Sequence, residues 1–217
     1  MTATSHAAKP KAAADARGIA FGYEPPADGA GVGRLWIPVG GSHRVVADHA
    51  RAATLLDAVL EFMPEPGARL VLLGKEVGTL RSAERAELRA RIAFLPSAGG
   101  LISHLNGWEN IVLPIAFHHP ERLHSVAGRV HELLAALGTE PGVLLAKIPE
   151  DMTLYEKKVA GCVRIMLEAP ELVLAEDLTG GLESFNERGR AATGFAAAYH
   201  AACAGGTFIQ LEYAPDT

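Results

Sequence analysis

The sequence predicts an α/β protein in which strands and helices alternate and pack in layers. Apolar runs with strand character alternate with amphipathic segments along most of the chain. The continuous apolar run ELVLAED, from Glu171 to Asp177, is typical of a strand that is buried on both faces of its sheet. A chain of 217 residues is long enough for one domain, or for one domain with an inserted subdomain, to bury a full core.

The predicted elements of the first half begin with two strands that form a hairpin around a Pro- and Gly-rich loop. A short strand and a helix follow, and Asp48 is placed to cap this helix. The predicted ranges are strands at 18–23, 34–39 and 43–47, a helix at 50–62, a strand and turn at 68–77, a helix at 82–91 capped by Ser82, and a strand at 91–96.

The second half is predicted to be mainly helical before it returns to strands. Its predicted ranges are helices at 108–117, 121–137 and 153–167, the buried strand at 171–177, an alanine-rich helix at 186–204 and a last strand at 206–213. Residues 1–17 contain no apolar segment of the kind found in a secretory signal. They are expected to be a flexible N-terminal tail. Residues 18–217 then form the folded domain.

Composition excludes several classes of function. The net charge is −5 and the sequence has no basic stripe, so a nucleic-acid partner is not expected. No apolar stretch approaches the roughly 20 residues that span a bilayer, so any membrane association is expected to be peripheral. Cys162 and Cys203 are predicted to be buried free thiols. The histidines of the segment 118–124 lack the spacing of a metal site on one helix face, so no metal centre is predicted.

The order of these elements and two segments resemble the ATP-binding subunits of ABC transporters. The segments are SAGGLISHLNGWENIVLP, from Ser97 to Pro114, and RIMLEAPELVLAEDLTGG, from Arg164 to Gly181. The first resembles most closely the Mla/Mce type, which powers lipid or organic-solvent transport. The resemblance implies a P-loop NTPase-like ABC ATPase fold with an antiparallel β subdomain and a helical subdomain inserted at about residues 98–168.

The resemblance also implies a nucleotide site, and its phosphate loop is altered here. In such proteins a glycine-rich loop wraps the phosphates, a lysine reaches the β- and γ-phosphates, and the next Ser or Thr binds Mg²⁺. The matching segment is VADHARAAT, residues 46–54. Ala52 stands at the lysine position and Ala53 at the Mg²⁺-ligand position, whereas Thr54 is retained. The loop glycines are replaced by Val46, His49 and Arg51.

Two interpretations of this segment follow from its residues. A carboxylate at Asp48 can accept the free N–H groups at the helix start, where a phosphate would otherwise bind. Alternatively, His49 and Arg51 supply replacement cations for a weakly bound anion. Tyr23 is a candidate to stack on adenine, and the alternative is that it is an ordinary packing residue.

The catalytic positions implied by the resemblance are also changed. The usual Asp-Glu pair after the buried strand is reversed to Glu176 and Asp177, which places the shorter side chain at the position that orients water. Ser97 stands at the position of the glutamine that senses Mg²⁺. Tyr213 stands at the position of the histidine that contacts the γ-phosphate, and a phenol cannot become a cation near pH 7.

The motif that such subunits contribute to the partner's nucleotide lacks its two glycines. The usual LSGGE corresponds to MTLYE, namely Met152, Thr153, Leu154, Tyr155 and Glu156.

The resemblance implies ATP and Mg²⁺ as ligands, and the altered residues imply that binding is weak or absent. The expected function is that of a structural or regulatory partner of an ABC permease. The chain would be cytoplasmic and peripheral on the inner membrane, as a homodimer or as a heterodimer with another ATP-binding subunit. The alternative is an active ATPase with a rebuilt site that uses Arg51, Thr54, Glu176 and Asp177.

Overall fold

The computed structural model describes residue 16 and residues 18–27 and 33–214. Eight strands form two four-stranded sheets. The strands are β1 (Ile19–Glu24), β2 (Leu35–Pro38), β3 (Gly41–Ala47), β4 (Arg69–Leu72), β5 (Lys75–Glu76), β6 (Ile92–Leu95), β7 (Leu172–Glu176) and β8 (Thr207–Tyr213). All predicted strands are present, within two residues of their predicted bounds.

One sheet is antiparallel and the other is parallel. The antiparallel sheet has the order β2-β1-β4-β5, and β1 and β2 pair as the predicted hairpin. The parallel sheet has the order β3-β8-β7-β6. Because its strands are parallel, their carboxyl ends meet at one edge of the sheet.

Strand β7 is buried on both faces, as its continuous apolar run predicts. Leu172 and Leu174 pack into a core with the antiparallel sheet and the first helix, whereas Val173 and Ala175 pack into a second core formed mainly by helices. Alternate side chains of a strand point to opposite faces, so a strand between two cores has no polar face. This explains why ELVLA carries no period-two pattern.

The structure has eight α-helical segments in the described residues. They are α1 (His49–Glu61), α2 (Ser82–Arg89), α3 (Gly107–His118), α4 (Ala127–Ala136), α5 (Pro141–Ala146), α6 (Leu154–Glu168), α7 (Phe185–Gly189) and α8 (Phe195–Ala202). None of them has both the length and the apolar character to cross a membrane.

Four details of the helix prediction are wrong. The cap of α2 is Arg81, whose N–H donates to the Glu84 carboxylate at 3.0 Å, and Ser82 is the first helical residue. The predicted helix 121–137 is a 3-10 turn at 120–125 followed by α4. The predicted helix 186–204 contains a π-helical turn at 190–194 that joins α7 to α8. Helix α5 was not predicted, because six residues are too few to show a helical period.

Helices α3 to α6 lie between β6 and β7, in the segment assigned to a helical subdomain. That division remains a prediction. The predicted tail at 1–17 lies outside the described residues except for residue 16. Cys162 and Cys203 are both buried and free, as predicted.

Candidate functional site

Four of the predicted site residues meet where the parallel strands end. His49, Ser97, Glu176 and Tyr213 lie at or just beyond the carboxyl ends of β3, β6, β7 and β8, respectively. The Tyr213 hydroxyl donates a hydrogen bond to Oε1 of Glu176, and the Ser97 backbone N–H donates to Oε2 at 3.1 Å. The His49 ring stacks on the Tyr213 ring with centroids 4.1 Å apart. We call these four residues the strand-end cluster.

The strand-end cluster perturbs the Tyr213 phenol. Burial, the hydrogen bond to Glu176 and the negative charges of Glu176 and Asp177 raise the pKa of Tyr213 to about 12. The protonated phenol is therefore favoured, because only this form can donate to the carboxylate.

We expect the stability contributed by Tyr213 to be lost in alkali. The folded-state pKa of about 12 exceeds the ordinary value of about 10 for tyrosine. The contribution is then complete below about pH 10 and falls as the pH rises towards the folded-state value. The measurement is the free energy of unfolding of the wild type minus that of Tyr213→Phe, from pH 8 to pH 12. A difference that stays constant above pH 10 would contradict the hydrogen bond to Glu176.

The segment that matches a phosphate loop is not a loop in this structure. Strand β3 ends at Ala47 and α1 begins at His49, so Asp48 is the one residue between them. Oδ1 of Asp48 accepts from the Arg51 N–H at 2.9 Å, and Oδ2 pairs with Nε of Arg51 at 3.2 Å. The Asp48 cap predicted from sequence is thus present, and Arg51 is paired with it.

The other residues of this segment are built into α1. Ala52 is buried, and Ala53 is exposed on the helix. The Thr54 hydroxyl donates to the carbonyl of Ala50 at 3.1 Å within the same helix. Tyr23 is fully buried, so its ring lies in the core rather than on a surface where adenine could stack. The packing interpretation of Tyr23 is the one that fits its position.

Residues 152–156 surround the start of α6. Thr153 and Glu156 form a reciprocal cap, with Glu156 N–H to Thr153 Oγ1 at 3.1 Å and Thr153 N–H to Glu156 Oε2 at 2.8 Å. Nζ of Lys147 binds the other oxygen of Glu156 at 2.6 Å. Met152 is buried. The start of α6 is therefore occupied by a carboxylate from its own chain.

The two side chains that replace the motif glycines point into the protein. The Tyr155 hydroxyl donates to the Leu137 carbonyl at 3.3 Å, and its ring stacks on Phe195 with centroids 6.0 Å apart. Leu154 packs against Gly181, where an added Cβ would lie 2.8 Å from its Cδ2. Leu154 and Tyr155 thus pack against other parts of this chain.

The loop after β6 is fastened to α6, which sequence reasoning did not predict. A Cβ added to Gly161 of α6 would lie 2.3 Å from the Gly99 carbonyl oxygen, so the two backbones are in close contact. The Arg164 guanidinium donates to the carbonyls of Gly100 at 2.8 Å and Gly99 at 3.3 Å. This attachment holds Ser97, which lies in the same loop, beside Glu176.

Asn110 is a second residue whose role sequence reasoning missed. It is fully buried in α3, and its Oδ1 accepts from the Ile102 N–H at 2.7 Å. Its Nδ2 donates to the carbonyls of Ile102, Leu105 and Asn106 at 2.8–3.1 Å. Asn110 therefore holds the loop 102–106 against α3. A polar residue on an otherwise apolar helix face is the signal that could have identified it.

The turn after β7 brings the reversed carboxylates to different surroundings. Glu176 binds Ser97 and Tyr213 within the strand-end cluster, whereas Asp177 has a left-handed backbone with φ of +40°. The Asp177 carboxylate lies over Gly180, where an added Cβ would be 1.7 Å from Oδ2. Any side chain at position 180 would displace this carboxylate. Among the described residues, no group of three or more His, Cys, Asp or Glu is arranged to hold a metal ion.

Sequence comparison relates the chain to ATP-binding proteins of several transporters. It is 25% identical over 135 residues to the methionine import ATP-binding protein MetN of Cereibacter sphaeroides, which covers 62% of this chain and 37% of MetN. It is 27% identical over 134 residues to the lipoprotein-releasing system ATP-binding protein LolD of a Shewanella species, covering 61% of this chain and 56% of LolD. The matches thus span about a third to a half of the length of these relatives. No family model matches the chain.

Comparison of structures finds ATP-binding cassette proteins that share this fold. The structure of cbiO1 from Clostridium perfringens, part of an ABC transporter complex, superposes with a TM-score of 0.72 at 15% identity, covering 91% of this chain and 80% of that one. A dimeric ATP-binding cassette bound to ADP and phosphate superposes with a TM-score of 0.64 at 15% identity, covering 90% and 86%.

Proposed function

The chain has the fold of the ABC ATPases, and its sequence is related to ATP-binding subunits of ABC transporters; from this premise we propose that it is a degenerate subunit of this kind. It binds ATP weakly or not at all and acts as a structural or regulatory partner of a permease. The observation that carries this proposal is the direct junction of β3 with α1 through Asp48.

The junction at Asp48 argues against phosphate binding on two grounds. A phosphate loop needs several residues whose N–H groups converge on the anion, and one residue between strand and helix cannot supply them. The Asp48 carboxylate already accepts the Arg51 N–H, so a phosphate would have to displace a bound anion and also approach its negative charge.

The start of α6 supports the same conclusion. In the family, each ATP lies between the phosphate loop of one subunit and the LSGGE helix of the other. Here Glu156 and Thr153 cap α6, and Lys147 neutralises Glu156. Because the usual motif LSGGE also ends in a glutamate, the difference at this helix start is Leu154 and Tyr155 in place of the two glycines, and both side chains pack within this chain.

The side chains at the expected nucleotide-binding positions do not fit Mg-ATP. Both oxygens of Glu176 accept hydrogen bonds within the strand-end cluster, and the Thr54 hydroxyl is bound to Ala50. The alanines at 52 and 53 supply neither a cation nor an oxygen ligand. No step of ATP hydrolysis is accordingly assigned to these residues.

The proposed partner is a permease of the Mla/Mce type, which transports lipids or organic solvents. The support is the resemblance of the segment 97–114, and the proposed docking surface is that of residues 97–117. This places the chain on the cytoplasmic face of an inner membrane, paired with a second copy or with an intact ATP-binding subunit. Co-expression with candidate permeases of this type, followed by purification in detergent, tests the assignment. If no such permease retains the chain, the assignment fails.

One alternative function has its own support. Glu176 and Asp177 remain at the end of β7, and Arg51 is about half exposed at the start of α1. An active ATPase could use these residues with Thr54 in a rebuilt site, as the ATP-binding relatives suggest. Arg51→Ala and Asp177→Ala separate the two functions, because they abolish turnover in an ATPase, whereas a silent subunit shows no turnover with or without them.

We expect calorimetric titration with Mg-ATP to detect no binding tighter than about 100 μM, equivalent to about −5.5 kcal/mol. The reason is the loss of the lysine and of the converging N–H groups. An intact ATP-binding subunit titrated under the same conditions is the positive control, and thermal unfolding with and without Mg-ATP provides an independent readout. Binding tighter than this value, abolished by Arg51→Ala, would replace the silent subunit by the rebuilt ATPase.

A further inference from the structure

Lys158 of α6 is the one charged residue among those described that is fully buried, with 0% of its surface exposed. A lysine in the interior is costly unless its ammonium group is hydrogen-bonded and its charge is balanced. Its position therefore calls for a specific set of partners.

Those partners are in the turn that follows β7. Nζ of Lys158 donates to the carbonyl of Asp177 at 2.7 Å and to the carbonyl of Gly180 at 3.1 Å. The same Asp177 carbonyl accepts the Gly180 N–H at 3.2 Å. Lys158 thus closes the turn from the interior side, and the turn contains the left-handed backbone of Asp177, which is disfavoured for a residue with a side chain.

The charge of Lys158 is balanced by the reversed carboxylates. Burial lowers the pKa of Lys158, and the negative charges of Asp177 and Glu176 oppose this by favouring its charged form. Among the described residues, neither carboxylate forms an ion pair within 4.0 Å with an arginine, lysine or histidine. Nζ of Lys158 also lies more than 4.0 Å from both carboxylates, so its charge acts on them across the turn and not as a direct ion pair.

We infer that Lys158 is a positioning residue for this turn, and that its buried ammonium group supplies a counter-charge to Glu176 and Asp177. The hydrogen bonds fix the backbone of the turn, and the charge of Lys158 offsets part of the negative charge of the two carboxylates. The inference concerns the geometry of the turn and does not depend on whether ATP binds.

Neutralising Lys158 is expected to create an affinity for divalent cations at this turn. The ammonium group of Lys158 repels a divalent ion that approaches the two carboxylates, and neutralising it removes this repulsion. At an effective dielectric constant of about 20, the affinity for the ion should rise more than about tenfold. The probe is Mn²⁺ alone, and the readout is paramagnetic broadening of the amide resonances of Ser97 and Gly180. In Lys158→Met we expect broadening at Mn²⁺ concentrations at least about tenfold lower than in the wild type.

Matched variants separate charge from packing. Lys158→Arg keeps the charge and should show no gain in Mn²⁺ affinity, and Lys157→Met makes the same change as Lys158→Met at the neighbouring position of α6. We also expect amide hydrogen exchange of Gly180 and Ser97 to accelerate in Lys158→Met by at least about tenfold more than that of amides in β1. If Lys158→Met does not fold, Lys158→Gln replaces it in both measurements.

Two outcomes would overturn the inference. One is unchanged Mn²⁺ broadening together with uniformly faster exchange, which would make Lys158 an ordinary core residue. The other is the same gain in Mn²⁺ affinity in Lys157→Met, which would show an effect of overall charge. Neither outcome bears on Mg-ATP binding by the wild type, so this inference and the proposed function fail independently.

Discussion

Replacing Gly99 by alanine is expected to destabilise the protein by about 3 kcal/mol or more. Gly99 has φ of +80°, and an added Cβ would lie 2.2 Å from the backbone oxygen of Lys157. The left-handed backbone costs a non-glycine residue about 1–2 kcal/mol, and overpacking against a backbone atom costs about 1–3 kcal/mol more. The atom that would be displaced belongs to α6, which cannot move without disturbing the helical core. Urea denaturation measures the free energy of unfolding directly.

Two other glycine variants separate the cost of the left-handed backbone from the cost of overpacking. Gly40 has φ of +83° but no atom within 4 Å of an added Cβ, so Gly40→Ala should lose only the backbone cost. Gly189 has neither feature and lies in a helix, so Gly189→Ala should be neutral or stabilising by up to about 1 kcal/mol. A loss for Gly99→Ala no larger than that for Gly40→Ala would show that the loop and α6 are not in close contact.

Replacing Asn110 by alanine is expected to cost about 3–4 kcal/mol. The change removes four hydrogen bonds to the loop 102–106. A backbone group left unsatisfied in the interior costs about 1–3 kcal/mol, and part of this cost is avoided if the loop opens to water. Unfolding by urea gives the total loss, and the fluorescence of Trp108, in a background with Trp36→Phe, reports on the adjoining part of α3.

Asn106 provides a matched control, because it is the same residue type and caps the helix that contains Asn110. Its side chain caps α3 by accepting the Glu109 N–H at 2.9 Å, so Asn106→Ala should cost about 1 kcal/mol. Equal losses for the two variants would indicate that Asn110 acts only as a packing residue. In the proposed subunit, Asn110→Ala should also weaken association with the permease, because the loop 102–106 is part of the proposed docking surface.

The sequence predicted the elements whose signal is local. The α1 cap at Asp48 follows from one residue type at a helix start, and β7 follows from its continuous apolar run. The helices at 120–136 and 185–202 were predicted as uninterrupted because hydrophobic periodicity continues through a 3-10 or π-helical turn, which shifts the register without removing apolar residues.

The sequence could not predict contacts that depend on three-dimensional proximity. The burial of Lys158 is one such contact, because lysine is rarely buried and its carbonyl partners, of Asp177 and Gly180, carry no sequence signal. The strand-end cluster was partly predictable, since parallel strands bring their carboxyl ends together. The hydrogen bonds of Glu176 to Tyr213 and Ser97 required the structure.

The attachment of the loop after β6 to α6 has a mechanical consequence. The loop is held at Gly99 by backbone contact, at Gly100 by Arg164 and at Ile102 by Asn110. A chain fixed at such short intervals transmits displacement instead of absorbing it. A displacement of α3 would therefore be passed along residues 97–102 to the Ser97 amide, which binds Glu176.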